Sequence, residues 1–152
     1  MATIEEMQTQ LNALINNLKP KARRTLARNI GQQLRKSQQK RIQAQKNPDG
    51  TAFEPRKPQK QLGKKKGRIK RKAMFVKLRT AKYLGIQPTP NAINIGFQGR
   101  SATIANIHQQ GLKARVRKDR DYKVQYAQRE LLGFSEEDRE LIEGLVIEQL
   151  SL

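Results

Sequence analysis

Few residues of this chain have the type and spacing that chemistry requires. His108 is the single imidazole, and acid–base work would need a positioned nucleophile or an orienting acid beside it. It reads instead as a polar residue at a turn before Gly111. Ser101, Thr103 and Ser135 carry hydroxyls, but none stands in a nucleophile-elbow pattern. Asp119 and Asp121 are spaced to share a divalent ion, yet Arg117, Lys118, Arg120 and Lys123 surround them. A solvated loop of mixed charge accounts for that pair. Asp49 and Glu54 followed by Arg56 have a faint metal-nuclease spacing, in which Pro55 displaces the basic residue expected after the acid. Gly63-Lys64-Lys65-Lys66-Gly67 lacks the phosphate-loop spacing and its closing Lys-Ser/Thr. With no Cys and one His, thiol nucleophiles, disulfides, iron–sulfur clusters, cysteine-ligated zinc and multi-histidine metal sites are excluded. The expectation is a protein that is not an enzyme and uses no cofactor or metal.

What remains is charge. The chain has 152 residues, the size of one domain, with 32 Lys+Arg against 13 Asp+Glu and a net charge of +19. Its apolar fraction of 36% falls below the ~45–50% (Gly included) of a globular domain, so part of it is expected to be solvated or ordered against a partner. Residues 1–18 sum to −2, residues 19–87 to +21, residues 100–129 to +6 and residues 130–152 to −6. Such asymmetry is not one evenly mixed surface. The N-terminus, Met1-Ala2-Thr3-Ile4-Glu5-Glu6, is acidic and amphipathic, unlike a signal peptide. No run approaches the ~18 apolar residues of a membrane span. A soluble protein made in a cytoplasm, with anionic partners and no membrane, is expected.

The elements that must carry this charge follow from apolar spacing. Thr3 and Glu6 are placed as a capping box, and Ile4, Met7, Leu11, Leu14, Ile15 and Leu18 recur helically. Pro20 suits the first turn of a second helix, whose narrow seam is Leu26, Ile30 and Leu34, with Ala22, Ala27 and Ile42 nearby, on an otherwise basic rod. These predict a helical hairpin over 3–46, with the first helix covering the seam. Asn47-Pro48-Asp49-Gly50 is a turn. Residues 57–72 hold nine bases and no acid, so 47–73 is expected to be an extended basic arm. An α+β core over 74–152 completes a single domain, 1–152. Within it, Ala73–Leu84 reads as a short helix. Ile93, Ile95 and Phe97 alternate as a strand, as do Val124 and Tyr126, giving a small antiparallel sheet. Ala102–His108 is strand or short helix, stopped by Gly111. Ser135 and Asp138 form a second capping box ahead of a C-terminal amphipathic helix with Leu141, Ile142, Leu145, Val146 and Leu150 on one face.

Two sets of side chains are candidates for binding. Lys64, Lys65, Lys66, Arg68, Lys70, Arg71 and Lys72 would meet phosphates or an acidic protein surface. With three Tyr, four Phe and no Trp, the chain offers little for base stacking, so any nucleic-acid contact would run through backbone charge. Glu136, Glu137, Asp138 and Glu140 are candidate subunit-interface acids, because a −6 segment and a +21 segment in one chain favour head-to-tail pairing between copies.

The order of features resembles the phage virion morphogenesis family, specifically the tail-completion proteins of temperate contractile-tailed phages. The similarity rests on Gln39-Lys40-Arg41-Ile42, the Asn47-Pro48-Asp49-Gly50-Thr51 turn, Pro55-Arg56-Lys57, Lys65-Lys66-Gly67 and Met74-Phe75-Val76-Lys77-Leu78-Arg79. Its strongest marks are Ile107-His108-Gln109-Gln110-Gly111 and Arg129-Glu130-Leu131-Leu132-Gly133-Phe134-Ser135. Gln110 departs from the pattern, where an aromatic is more usual. The resemblance implies a structural virion protein that completes the tail and joins it to the head. Its partners would be other neck and tail proteins (terminator, tube or connector), in a homo-oligomeric ring, such as a hexamer on the tail's sixfold symmetry. Basic side chains facing the lumen would meet the genomic DNA backbone, or the arm would lie across a neighbouring subunit. The runner-up is a sequence-nonspecific nucleic-acid-binding protein. A metal-dependent nuclease using Asp49 or Glu54 is the third reading.

Overall fold

Proline at a helix start costs nothing, since the first amides have no intrahelical acceptor. In the computed structural model, Pro20 accordingly opens the long second helix. The structure describes residues 4–56, 73–115 and 121–151. The tract 57–72, with all seven basic candidates from Lys64 to Lys72, lies outside the described residues, as do Thr3 and residues 116–120. Helix α1 (Ile4–Asn16) is followed by α2 (Pro20–Gln43), then by strands β1 (Leu84–Pro88) and β2 (Ile93–Phe97). Helix α3 (Arg100–Gln110), strands β3 (Lys113–Arg115) and β4 (Lys123–Gln125), and helix α4 (Glu136–Leu150) complete the order. This is an α+β fold. β1 pairs with β2 and β3 with β4, in two separate two-stranded sheets. The β3–β4 pair is antiparallel, with Ala114 opposite Val124. The chain divides into two compact units, one from residues 1–37, 86–95 and 134–152, the other from 38–85 and 96–133.

In the first unit, the expected α2 seam is buried along most of its length. Leu26, Ala27 and Leu34 are buried, and Gly31 lets the β1–β2 hairpin approach. A Cβ at Gly31 would sit 2.5 Å from Ile93 Cδ1 and 3.5 Å from Ile86 Cδ1. The hairpin thus covers this stretch of α2, a role the sequence had assigned to the first helix. α1 packs against α4. α4 begins as its sequence dictates: the Ser135 hydroxyl accepts from the Asp138 amide at 3.1 Å, and Asp138 accepts from the Ser135 amide at 3.0 Å. Val146 is its buried apolar anchor.

In the second unit, Ile42, Phe53, Met74, Ala105 and Leu131 form the buried core, with Phe75, Leu78 and Phe97 packed against it. Phe53 corrects the expected arm at its near end. The Asn47–Gly50 turn folds the chain back, the Phe53 amide donates to the Gln45 carbonyl at 2.8 Å, and Lys46 bridges Ala52. An isolated aromatic in a polar stretch is therefore core, and the segment from residue 47 to residue 53 is not part of an arm. Ala73–Leu84 is likewise not a helix. It forms successive turns, because Phe75 adopts a left-handed φ of 66°, which a helix does not accommodate. The Gln45 carboxamide fixes Met74 there, accepting from its amide at 2.8 Å and donating to its carbonyl at 2.9 Å. Leu84 leaves these turns as the first residue of β1, a strand the sequence reading missed. Ala102–His108 resolves as helix α3, ended by Gly111 at φ 66° and ψ 56°, a backbone state that glycine reaches without penalty.

Candidate functional site

The second unit holds a groove of about 1570 Å³ among the turns after Ala73, helix α3 and the strand β4 region. Phe75, Leu78, Ile104 and Tyr126 give it an apolar lining, and Arg56, Lys77, Arg100 and Arg129 give it positive charge. His108 stands inside it on α3, not at a turn as the sequence suggested. Its ring meets Phe75 edge-on at 4.9 Å and Tyr126 at 5.1 Å between centroids. Burial, then the charges of Arg129 and Arg56, lower its pKa from 6.5 to about 4. The ring is therefore neutral near pH 7.

Arg129 is 5% exposed. Its Nε donates to the Glu54 carbonyl at 2.7 Å and its Nη2 to the Pro55 carbonyl at 3.1 Å. Nη1 lies 3.4 Å from His108 Nδ1, which is the acceptor when the neutral ring carries its proton on Nε2. The Arg129 amide donates to the His108 carbonyl at 2.7 Å. Burial pulls the Arg129 pKa down, partly offset by Glu54 and reinforced by Arg56. So large a commitment of donors to main-chain carbonyls makes Arg129 a clasp, joining residues 54–55 to α3.

The residues after Arg129 are held in the same way. Gln109 accepts from the Leu131 and Leu132 amides at 2.9 and 3.0 Å and donates to the Leu132 carbonyl at 2.9 Å. Arg41 donates to the carbonyls of Glu130 and Leu131 at 2.8 and 2.7 Å, and Asn47 accepts from the Glu130 amide at 2.9 Å. Gln38 brackets Gly133, donating to its carbonyl at 2.9 Å and accepting from its amide at 3.3 Å. Polar side chains thus satisfy a buried strap of backbone that belongs to no sheet.

The side chains with catalytic potential are engaged elsewhere. Ser101 donates to the Gln98 carbonyl at the start of α3, and Ser135 caps α4. Asp49 accepts from the Thr51 amide and hydroxyl at 2.9 and 2.6 Å, and the hydroxyl bond in particular lowers its pKa. Among the described residues, no three His, Asp or Glu side chains converge on a metal-sized site, and no helix is long and apolar enough to cross a membrane.

Gln109 and Arg129 belong to the two segments, 107–111 and 129–135, that clasp one another in the fold. The profile of the phage virion morphogenesis family matches residues 2–151. The chain belongs to that family. Tail completion protein S of Escherichia phage P2 is 42% identical to it over 151 residues, covering 99% of each chain. No solved structure matches. For this virion morphogenesis protein, the acidic candidates separate cleanly. Glu136, Glu137 and Glu140 are exposed on α4. Asp138 is not a surface acid: it is 1% exposed and accepts from the Ser37 hydroxyl as well as the Ser135 amide. Sequence spacing identified its capping role, and that role uses the carboxylate internally. Arg56, Lys77, Arg100 and Arg129, the cations that share the groove, escaped notice because the four stretches that carry them are far apart in sequence.

Proposed function

We propose that this virion morphogenesis protein completes the phage tail and helps form the head–tail junction, as a non-enzymatic structural component of the virion assembled in the host cytoplasm. The end-to-end similarity to a P2 tail completion protein, 42% over 99% of both chains, carries this reading. Opposed charges within one chain support assembly as a ring. Terminator, tube or connector proteins would be its neighbours, and the genomic DNA backbone a contact of the lumen. The basic tract 57–72 would meet either that backbone or an adjoining subunit through Lys64, Lys65, Lys66, Arg68, Lys70, Arg71 and Lys72.

A phage lacking this gene should assemble tails that fail to join heads, and a plasmid copy should restore joined particles. Joined, infectious particles without the protein would end the proposal. The nine bases of 57–72 also favour a second reading, sequence-nonspecific nucleic-acid binding. A free binder using six of them would lose DNA affinity with a log–log salt slope of roughly −5. A junction protein instead sediments with tails or capsids.

A further inference from the structure

We propose that the groove of the second unit is a socket for the acidic outer face of α4 from a second copy of this chain. The socket's chemistry restricts its occupant. Among the described residues, Arg56, Lys77, Arg100 and Arg129 line it together with a single acid, Glu54. Arg129 is spent on its own carbonyl partners, and the three exposed cations Arg56, Lys77 and Arg100 over an apolar lining call for a ligand that brings carboxylates and apolar side chains together. A duplex backbone would answer the charges and leave Phe75, Leu78 and Ile104 against sugar and phosphate. The tract 57–72, with nine bases and no acid, has the same sign of charge as the groove and brings no carboxylate to it.

α4 supplies the matching surface. Glu136, Glu140, Glu143 and Ile147 are all exposed and follow one another at steps of four, three and four. At 100° per residue these positions fall within about 60° of one another, in a stripe of about 16 Å. Ile147 is 56% exposed at the end of that stripe, and Ile104 is 52% exposed in the groove. The inner face of α4 is already used by Asp138 and Val146, so the acidic face is available to a neighbour. Socket and stripe are different surfaces, so each copy can give one and receive the other. Such a heterologous contact closes into a ring or continues as a filament. This deepens the reading above and rests on it, since it supplies the joint for the proposed ring.

The chain has no native cysteine, which makes cysteine pairs a clean probe. Full-length Ile104→Cys protein is mixed with full-length Ile147→Cys protein under mild oxidation. Thr25→Cys, on an exposed position of α2, replaces Ile147→Cys as the control. The Ile104–Ile147 mixture should form disulfide-linked heterodimer at least about tenfold faster than the control, through the raised effective concentration of docked groups. Adding Glu140→Lys and Glu143→Lys to the Ile147→Cys copy should remove the preference, with the far-ultraviolet circular dichroism unchanged. Equal rates in both mixtures, or a preference that survives the charge reversal, would overturn the socket. So would protection of Ile104→Cys from alkylation by added duplex DNA but not by the Ile147→Cys copy. The Glu140→Lys, Glu143→Lys chain is also tested in a phage lacking the gene. Normal yields of joined particles would overturn the socket and leave the tail-completion reading standing.

Discussion

The Gln109 carboxamide accepts from the Leu131 amide at 2.9 Å, a bond across 22 residues that ties helix α3 to the strap ahead of α4. Leu131 is fully buried, so its main chain needs that partner. Gln109→Leu removes the acceptor for two amides and the donor to the Leu132 carbonyl. It should lower unfolding stability by about 2–3 kcal/mol, read as a shifted urea midpoint with unchanged slope. An unshifted midpoint would show that Arg41, Gln38 and Asn47 hold the strap without Gln109.

His108 should make stability depend on pH. Folding lowers its pKa from 6.5 to about 4, so between those values the unfolded chain binds more protons than the folded one. Stability therefore falls as pH drops from 6.5 towards 4 and changes no further below it through this group. Because the ring is half-buried, solvent screening limits the effect to on the order of 1–2 kcal/mol. His108→Asn keeps an acceptor near Arg129 and cannot titrate, so its stability against pH should be flatter by that amount. Equal slopes for the two proteins would contradict the placement of His108.

Two glycines should respond oppositely to alanine. At Gly111, φ is 66° and a Cβ would lie 3.1 Å from the Gln128 backbone nitrogen. Gly111→Ala should cost about 1–2 kcal/mol. Gly144 sits inside α4, and a Cβ there meets nothing within 4 Å. Gly144→Ala should add about 0.5–1 kcal/mol through helix propensity. Thermal denaturation of both variants decides it, and a stabilising Gly111→Ala would refute the left-handed end of α3.

The acids of α4 should divide by burial. Asp138→Ala loses the capping box and the Ser37 bond, and should cost about 1–3 kcal/mol. Glu137→Ala, on the exposed side, should change stability by less than about 0.5 kcal/mol. Equal losses in the two variants would mean that Asp138 does no more than a surface acid.

How much of this was legible in the sequence depended on the range of the interactions. α4 was legible because Ser135 and Asp138 satisfy each other within one turn. The strands around Ile93–Phe97 and Val124 were legible because alternation is local. The Ala73–Leu84 segment was not, since Met74, Phe75 and Leu78 are spaced for a helix while Gln45, far back in the chain, fixes Met74 in a turn. Phe53 was hidden for a similar reason: its neighbours are polar, and its core partners Ile42 and Leu131 are remote. The segments 107–111 and 129–135 are legible as short motifs, but what they do is tertiary. Gln109 and Arg129 are there to clasp backbone that no sheet satisfies. The groove is the extreme case, because its cations come from stretches of chain around residues 56, 77, 100 and 129.

Electron microscopy of particles made with and without this chain tests the central claim most directly. Particles made without it should separate into filled heads and full-length, unattached tails, and restoring the gene should rejoin them. Attached, infectious tails in its absence would contradict the account.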